Sequence, residues 1–152
     1  RRFRADVASM CKLGFDIGVD KLSADELAYC REAVVNWKRL QPAIMDGAQY
    51  RLVSPYESNH AAINYVDDSR NKGVLFAYNL APRFQEKLSR VKLQGLDANK
   101  HYLVKEINLM PGVKSKFAQD GKVFSGDYLM KVGLDVLSFQ HNTSMVVELS
   151  AQ

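Results

Sequence analysis

Cysteine is nearly absent: Cys11 and Cys30 are the only two in 152 residues. They match no metal-ligand spacing and no histidine cluster accompanies them, so the pattern points to no zinc site. Both lie in apolar, helix-like stretches and read as two buried thiols. Such sparing use fits a reducing cytosol without requiring one. No apolar run approaches the eighteen residues of a membrane span. The chain shows no apolar leader segment at its start. No five like charges stand in a row, so there is no polybasic arm for nucleic acid. The net charge of +4 is spread over both halves, whereas a nucleic-acid binder gathers its charge on one face. Proline and glycine are few, at 4 and 9, which argues against collagen-like and low-complexity chains.

What is present is ordinary globular material, 47% hydrophobic and 25% charged. The length suits about one domain and one sizeable core, and is short of the roughly 250 residues of a complete (β/α)₈ barrel. The first residue is Arg1, not Met, and it falls inside a helical pattern. Arg1, Arg2 and Arg4 crowd the end of that helix where its dipole disfavours cations. The expectation is a fragment or a processed product whose helix starts further upstream.

Residues 1–46 read as helix, strand, helix. Phe3, Val7 and Met10 recur at helical spacing, with Gly14 as the expected C-cap. Leu13–Ile17 reads as a short strand broken by Gly18. Ser23-Ala24-Asp25-Glu26 is a capping box opening a second helix. Leu27, Cys30, Val34 and Trp37 line one face of that helix, Lys38 and Arg39 suit its last turn, and Pro42 stops it.

Residues 47–152 read as strands. Gln49–Val53, His60–Val66, Gly73–Asn79, Val91–Leu93, Tyr102–Asn108, Lys122–Ser125 and Met145–Ser150 are rich in β-branched and aromatic residues. Turn-forming groups such as Asp67-Asp68-Ser69, Pro111-Gly112 and Asp120-Gly121 separate them, and Asp127–Val132 reads as one helical turn. Seven short strands so spaced predict an antiparallel, Greek-key-like β-sandwich. The expected fold is therefore mainly β: a helix-strand-helix piece over 1–46, then a sandwich over 47–152.

Residue chemistry offers no self-sufficient catalytic site. There is no Gly-x-Ser-x-Gly elbow and no phosphate-binding glycine cluster. His60, His101 and His141 stand about forty residues apart and read as isolated surface or strand-end residues. Asp67 and Asp68 are adjacent and read as a turn rather than a glycosidase pair. Asp16 ends the expected strand of the first half, where barrel enzymes place catalytic groups, but a capping role is the simpler reading. Trp37, Tyr50, Tyr56, Tyr65, Phe76, Tyr78 and Tyr102 could supply a sugar-stacking platform, with core packing as the simpler alternative; Tyr56, in a loop beside Pro55, is the first candidate for exposure.

Arg4-Ala5-Asp6-Val7-Ala8-Ser9-Met10 with Leu13-Gly14-Phe15-Asp16-Ile17 resembles the stretch near the end of the catalytic barrel in α-galactosidases of glycoside hydrolase family 36. Leu22–Leu27 resembles that family's last barrel helix, and Asp46-Gly47 with Tyr50-Arg51-Leu52 its entry into the C-terminal domain. Ser54-Pro55-Tyr56-Glu57, Leu93-Gln94-Gly95-Leu96-Asp97 with Tyr102, and Ser125-Gly126-Asp127-Tyr128-Leu129-Met130 resemble segments within that domain. Cys11 stands where the family pattern has Gly. The resemblance implies the tail of a retaining enzyme that cleaves terminal α-galactosyl residues: the end of a (β/α)₈ barrel, then a C-terminal β domain. It also implies that both catalytic aspartates lie upstream, the nucleophile in a Lys-x-Asp context. The sequence contains no Lys-x-Asp, so no catalytic, cofactor-binding or metal-ligating residue is assigned here. The partners it implies are galactosylated oligosaccharides through the parent enzyme and the rest of its barrel. Nucleic acid and membrane are not expected, and no cofactor is implied. Barrel-facing Phe3, Val7, Leu27, Val34 and Trp37 are expected to fold back on the β domain or to pair between chains. The alternatives are a carbohydrate-binding module and a protein-interaction domain.

Overall fold

A computed structural model describes residues 2–16 and 18–152. The chain opens with helix α1 (Arg2–Ser9), runs through an irregular stretch with a 3₁₀ turn at Val19–Lys21, and enters helix α2 (Ala24–Gln41). Six strands follow: β1 (Ala48–Val53), β2 (His60–Val66), β3 (Lys72–Asn79), β4 (His101–Ile107), β5 (Lys122–Ser125) and β6 (Thr143–Ala151). A short helix α3 (Gly126–Lys131) leaves β5.

α2 starts as its sequence dictates. The Ser23 hydroxyl accepts from the Glu26 amide at 3.3 Å, and the Glu26 carboxylate accepts from the Ser23 amide at 2.9 Å. Pro42 does not stop the helical path. It opens a π-helical turn over Pro42–Asp46. Proline has no amide proton to donate into the preceding turn, and its fixed φ suits the start of a new one. The buried face of α2 is also one step round from the expected stripe. Tyr29, Ala33, Asn36 and Leu40 are buried, while Leu27, Cys30, Val34 and Trp37 are only half-buried. α1 ends at Ser9, five residues before Gly14.

Leu13–Asp16 forms no strand, and Ile17 lies outside the described residues, as does Arg1. A strand needs a partner for its N–H and C=O groups. The six strands all pair among themselves over residues 48–151 and leave this segment none.

The strands form one antiparallel sheet in the order β1-β2-β3-β6-β4-β5, not the two sheets of the expected sandwich. The last strand inserts between the third and fourth: Leu75 pairs with Val147 on one side, and Val104 with Leu149 on the other. What was read as a further strand at Val91–Leu93 makes one bridge, Val91 to Leu134. The chain turns away soon after at Gly95, whose φ of +77° suits glycine, and any β-carbon there would strike the Tyr50 ring.

Both faces of the sheet are covered. One packs Val74, Phe76, Tyr78, Ile107 and Val146 against Leu40, Ala43 and Ile44 of the helical segment. The other packs Leu75, Tyr102, Val104, Val147 and Leu149 against Leu93, Leu96, Phe117, Leu129 and Leu134. The long irregular connections before β4, β5 and β6 thus take the place of a second sheet. Seven of the eight residues of β3 are buried, which explains its unbroken apolar run Val74-Leu75-Phe76-Ala77-Tyr78.

Candidate functional site

A groove of about 690 Å³ opens between α1, the irregular segment after it, and α2. Arg4 and Ala8 of α1, Phe15 and Asp16 of the segment, and Tyr29 and Cys30 of α2 contribute to its walls. Its lining is mostly apolar, and Phe15 and Val19 beside it are exposed at 37% and 61%.

Tyr29 is the unusual wall residue. It is 3% exposed, and its hydroxyl has no hydrogen-bond partner. Burial first, and the nearby Asp6 charge second, push that hydroxyl well above the usual tyrosine range, so it stays a neutral donor. A buried hydroxyl without a partner costs on the order of 1–3 kcal/mol.

Below the groove lies a polar knot centred on Asp6. Its carboxylate accepts from Asn108 Nδ2 at 3.0 Å and from the Ser144 hydroxyl at 2.6 Å, with the Arg2 guanidinium 3.5 Å away. Its backbone carbonyl accepts from the Tyr78 hydroxyl at 2.9 Å. Asn108 in turn accepts from Asn36 of α2 at 3.0 Å. Asp6 is wholly buried, and burial raises its pKa, opposed in order by Ser144, Asn108 and Arg2. The knot fixes α1 and α2 on the sheet, so it positions the groove. Sequence reading did not single out Asp6; the signal was a carboxylate in the apolar register of a helix, three residues after Phe3.

The residues weighed from sequence do not converge. Asp16 is exposed on the groove wall. Asp67 closes the β2–β3 turn. Partial burial raises its pKa, but hydrogen bonds from the Ser69 hydroxyl and the Lys72 and Asn71 amides outweigh this and hold it low. Asp68 points to solvent. His101 opens β4 and His141 lies in an exposed loop. His60 opens β2, a strand-end residue as expected, and is buried there, its Nε2 3.2 Å from the Ser138 carbonyl and its Nδ1 3.7 Å from Glu86. Among the described residues no three His, Cys, Asp or Glu side chains gather as a metal site. Both cysteines are free; Cys11 is exposed and Cys30 half-buried, not the two buried thiols expected. Cys11 lies just past the end of α1, where its carbonyl accepts from the Trp37 indole at 2.8 Å and its side chain faces out. Among the described residues no helix is long and apolar enough to cross a membrane.

Of the aromatics, Tyr65, Phe76, Tyr78 and Tyr102 are buried, and Trp37 and Tyr50 half-buried. Tyr56 is 98% exposed. Phe3 folds back on the sheet, edge-on to Tyr78 at 5.5 Å, and Trp37 packs on the same cluster; Val7 stays 41% exposed.

The chain is thus a β sheet sealed by long connections that carries a two-helix segment with an open apolar groove. Residues 60–149, more than half of the chain, match the glycosyl hydrolase family 36 C-terminal domain, and the chain belongs to that family. It is 30% identical over 97% of its length to alpha-galactosidase 1 of Pediococcus pentosaceus. It is 31% identical over 98% to probable alpha-galactosidase G of Aspergillus terreus. It superposes on the crystal structure of the family 36 alpha-galactosidase AgaA of Geobacillus stearothermophilus with a TM-score of 0.80 and 27% identity, covering 98% of this chain. The chain spans 19% of the length of each of these relatives.

Two of the motifs that carry the resemblance, those around Gln94–Asp97 with Tyr102 and around Gly126, hold the fold. Tyr102 receives the Asp97 amide at 3.0 Å and donates to the Arg70 carbonyl at 2.7 Å. The Gln94 backbone is read by the Asn64 side chain through two hydrogen bonds, at 2.9 and 3.2 Å. Gly126 lies so close to the Asp97 carbonyl that a β-carbon would not fit.

Proposed function

We propose that this chain is the C-terminal part of a retaining α-galactosidase that hydrolyses terminal α-galactosyl residues of oligosaccharides, and that the chain itself is structural. The likeness of nearly the whole chain, in order, to α-galactosidases carries this reading. The solved AgaA variants include complexes with raffinose and stachyose, which supports galactosylated oligosaccharides as the substrate class of the parent.

In this reading residues 1–46 supply the last helix-strand-helix of the parent's barrel, and 47–152 form the C-terminal domain. The groove is then the face that receives the rest of the barrel. Leu13–Asp16 takes strand form only when a neighbouring barrel strand pairs with it, and the Tyr29 hydroxyl finds its acceptor on that same unit. In a retaining enzyme the two catalytic carboxyls stand about 5–5.5 Å apart. Asp6 is committed to the buried knot and Asp67 to its turn, so neither is free for that work.

The test is turnover of an aryl α-galactoside by the isolated chain and by the longest product of its gene. The expectation is none from the chain and full activity from a product whose upstream region carries a barrel with Lys-x-Asp. Turnover by the chain alone, or a gene that begins at Arg1, overturns the reading.

A further inference from the structure

At one end of the sheet, three loops meet: 54–59 between β1 and β2, 80–87 after β3, and 137–142 before β6. Each presents an aromatic ring to solvent. Tyr56 is 98% exposed, Phe84 93% and Phe139 52%. No other aromatic side chain among the described residues is as exposed as Tyr56 and Phe84, and burial of a ring of this size is normally worth about 1.5–3 kcal/mol.

The loops are held by polar contacts anchored on the buried His60 and Asn79 rather than by the rings. The Glu86 carboxylate accepts from Asn59 Nδ2 at 3.3 Å and from the Arg83 amide at 2.9 Å. His60, below the surface, sits against both Glu86 and the Ser138 carbonyl. The Ser138 amide donates to Asn79 Oδ1 at 2.8 Å, and the Leu80 amide to the Asn59 carbonyl at 2.9 Å. The rings are thus displayed on a framework that is fixed without them. That is the preorganisation a binding surface needs.

Amides and an imidazole, at Gln85, Gln140 and His141, share these loops with the exposed charged side chains of Glu57, Arg83 and Lys87, and all of these can hydrogen-bond hydroxyls. Amide side chains both donate to and accept from hydroxyls. Single rings set among such groups suit a ligand with alternating C–H faces and hydroxyls. A protein partner is better met by a contiguous apolar patch, whereas here a charged side chain adjoins each of the two most exposed rings in sequence, Glu57 beside Tyr56 and Arg83 beside Phe84. The geometry points to a carbohydrate-contacting surface on which Tyr56 and Phe84 stack galactose-bearing saccharide, remote from the groove of α1 and α2. The choice of saccharide rests on the α-galactosidase reading above.

The test is native electrophoresis of the chain through gels with and without galactomannan, a galactose-bearing polysaccharide. The wild-type chain is expected to be retarded. Tyr56→Ala and Phe84→Ala each weaken retention roughly three- to tenfold, and the double variant abolishes it. Both side chains are in solvent, so circular dichroism of the variants should be unchanged. A wild-type chain that runs unretarded overturns the proposal. So does retardation that survives the double variant, or sedimentation showing a dimer that the double variant dissolves. Aryl α-galactoside turnover by the longer gene product separates the two readings. Turnover without retention sinks this surface alone, and no turnover sinks the enzyme reading.

Discussion

Asn108 donates to the Asp6 carboxylate at 3.0 Å across 102 residues of sequence, and both side chains are buried. Asn108 leaves β4 with a left-handed φ of 58°, which turns its amide toward both helices. One side chain therefore ties α1, α2 and the end of β4 together. Asp6→Ala leaves the Asn108 amide and the Ser144 hydroxyl without this acceptor in a buried site. The expected loss is about 1–3 kcal/mol, and a similar loss follows Asn108→Ala. The double variant should cost less than the sum, because the two residues share one network. Urea unfolding of the four proteins checks this; full additivity would show that the knot is not a unit.

The same carboxylate gives a pH dependence of known sign. Burial raises the Asp6 pKa in the folded chain above its unfolded value of 3.8. The folded state then holds the proton more tightly than the unfolded one. Its contribution is fully present below pH 3.8 and is lost as pH rises through the folded value. Asp67 runs the other way: its folded pKa is lowered, so its contribution is present above pH 3.8 and is lost as pH falls through the folded value. Urea midpoints in the acid range should therefore respond in opposite directions to Asp6→Asn and Asp67→Asn. A matching pH profile in wild type and Asp6→Asn would remove Asp6 from the account.

Ser23→Ala removes one half of the capping box and should cost α2 about 1 kcal/mol. α2 carries Asn36 onto Asn108 and Leu40 into the sheet core, so the loss should appear as a lower global midpoint rather than local fraying. Amide hydrogen exchange distinguishes the two. Faster exchange confined to the first turn, with the midpoint unchanged, would contradict this.

Gly95→Ala tests the seal of the other face. Its φ of +77° disfavours alanine, and the added methyl meets the Tyr50 ring. The expected cost is about 1–3 kcal/mol, read as a lower thermal midpoint. Gly112→Ala is the control: its φ is similar, at +75°, but nothing lies within 4 Å of the added carbon, so it should cost less.

The strands were legible where both their pattern and their turns were local. His60–Val66 and Lys122–Ser125 fall where the side-chain pattern puts them, and the turn at Asp67 rests on its own side-chain hydrogen bonds. The helix start at Ser23 was legible for the same reason. The single sheet was not. Whether a short apolar run such as Val91–Leu93 pairs fully or makes one bridge depends on a segment some forty residues away, at Leu134. The segment Leu13–Asp16 has strand composition and no strand, because pairing is a property of neighbours. Asp6 escaped notice because a buried carboxylate is explained by Ser144 and Asn108, neither of which is near it in sequence.

Tyr29→Phe separates the chain from its proposed parent. In the isolated chain the variant removes a buried hydroxyl that has no partner, so stability should hold or rise, by up to about 1–3 kcal/mol. In the longer gene product, the proposed barrel supplies an acceptor for that hydroxyl. There the same substitution should lower the thermal midpoint, since it strands the acceptor in a buried site. The opposite signs cannot both come from a change in helix propensity, because Tyr and Phe differ little in that respect. If the variant stabilises both forms alike, the groove of α1 and α2 does not receive the barrel, and the assignment of residues 1–46 to it fails.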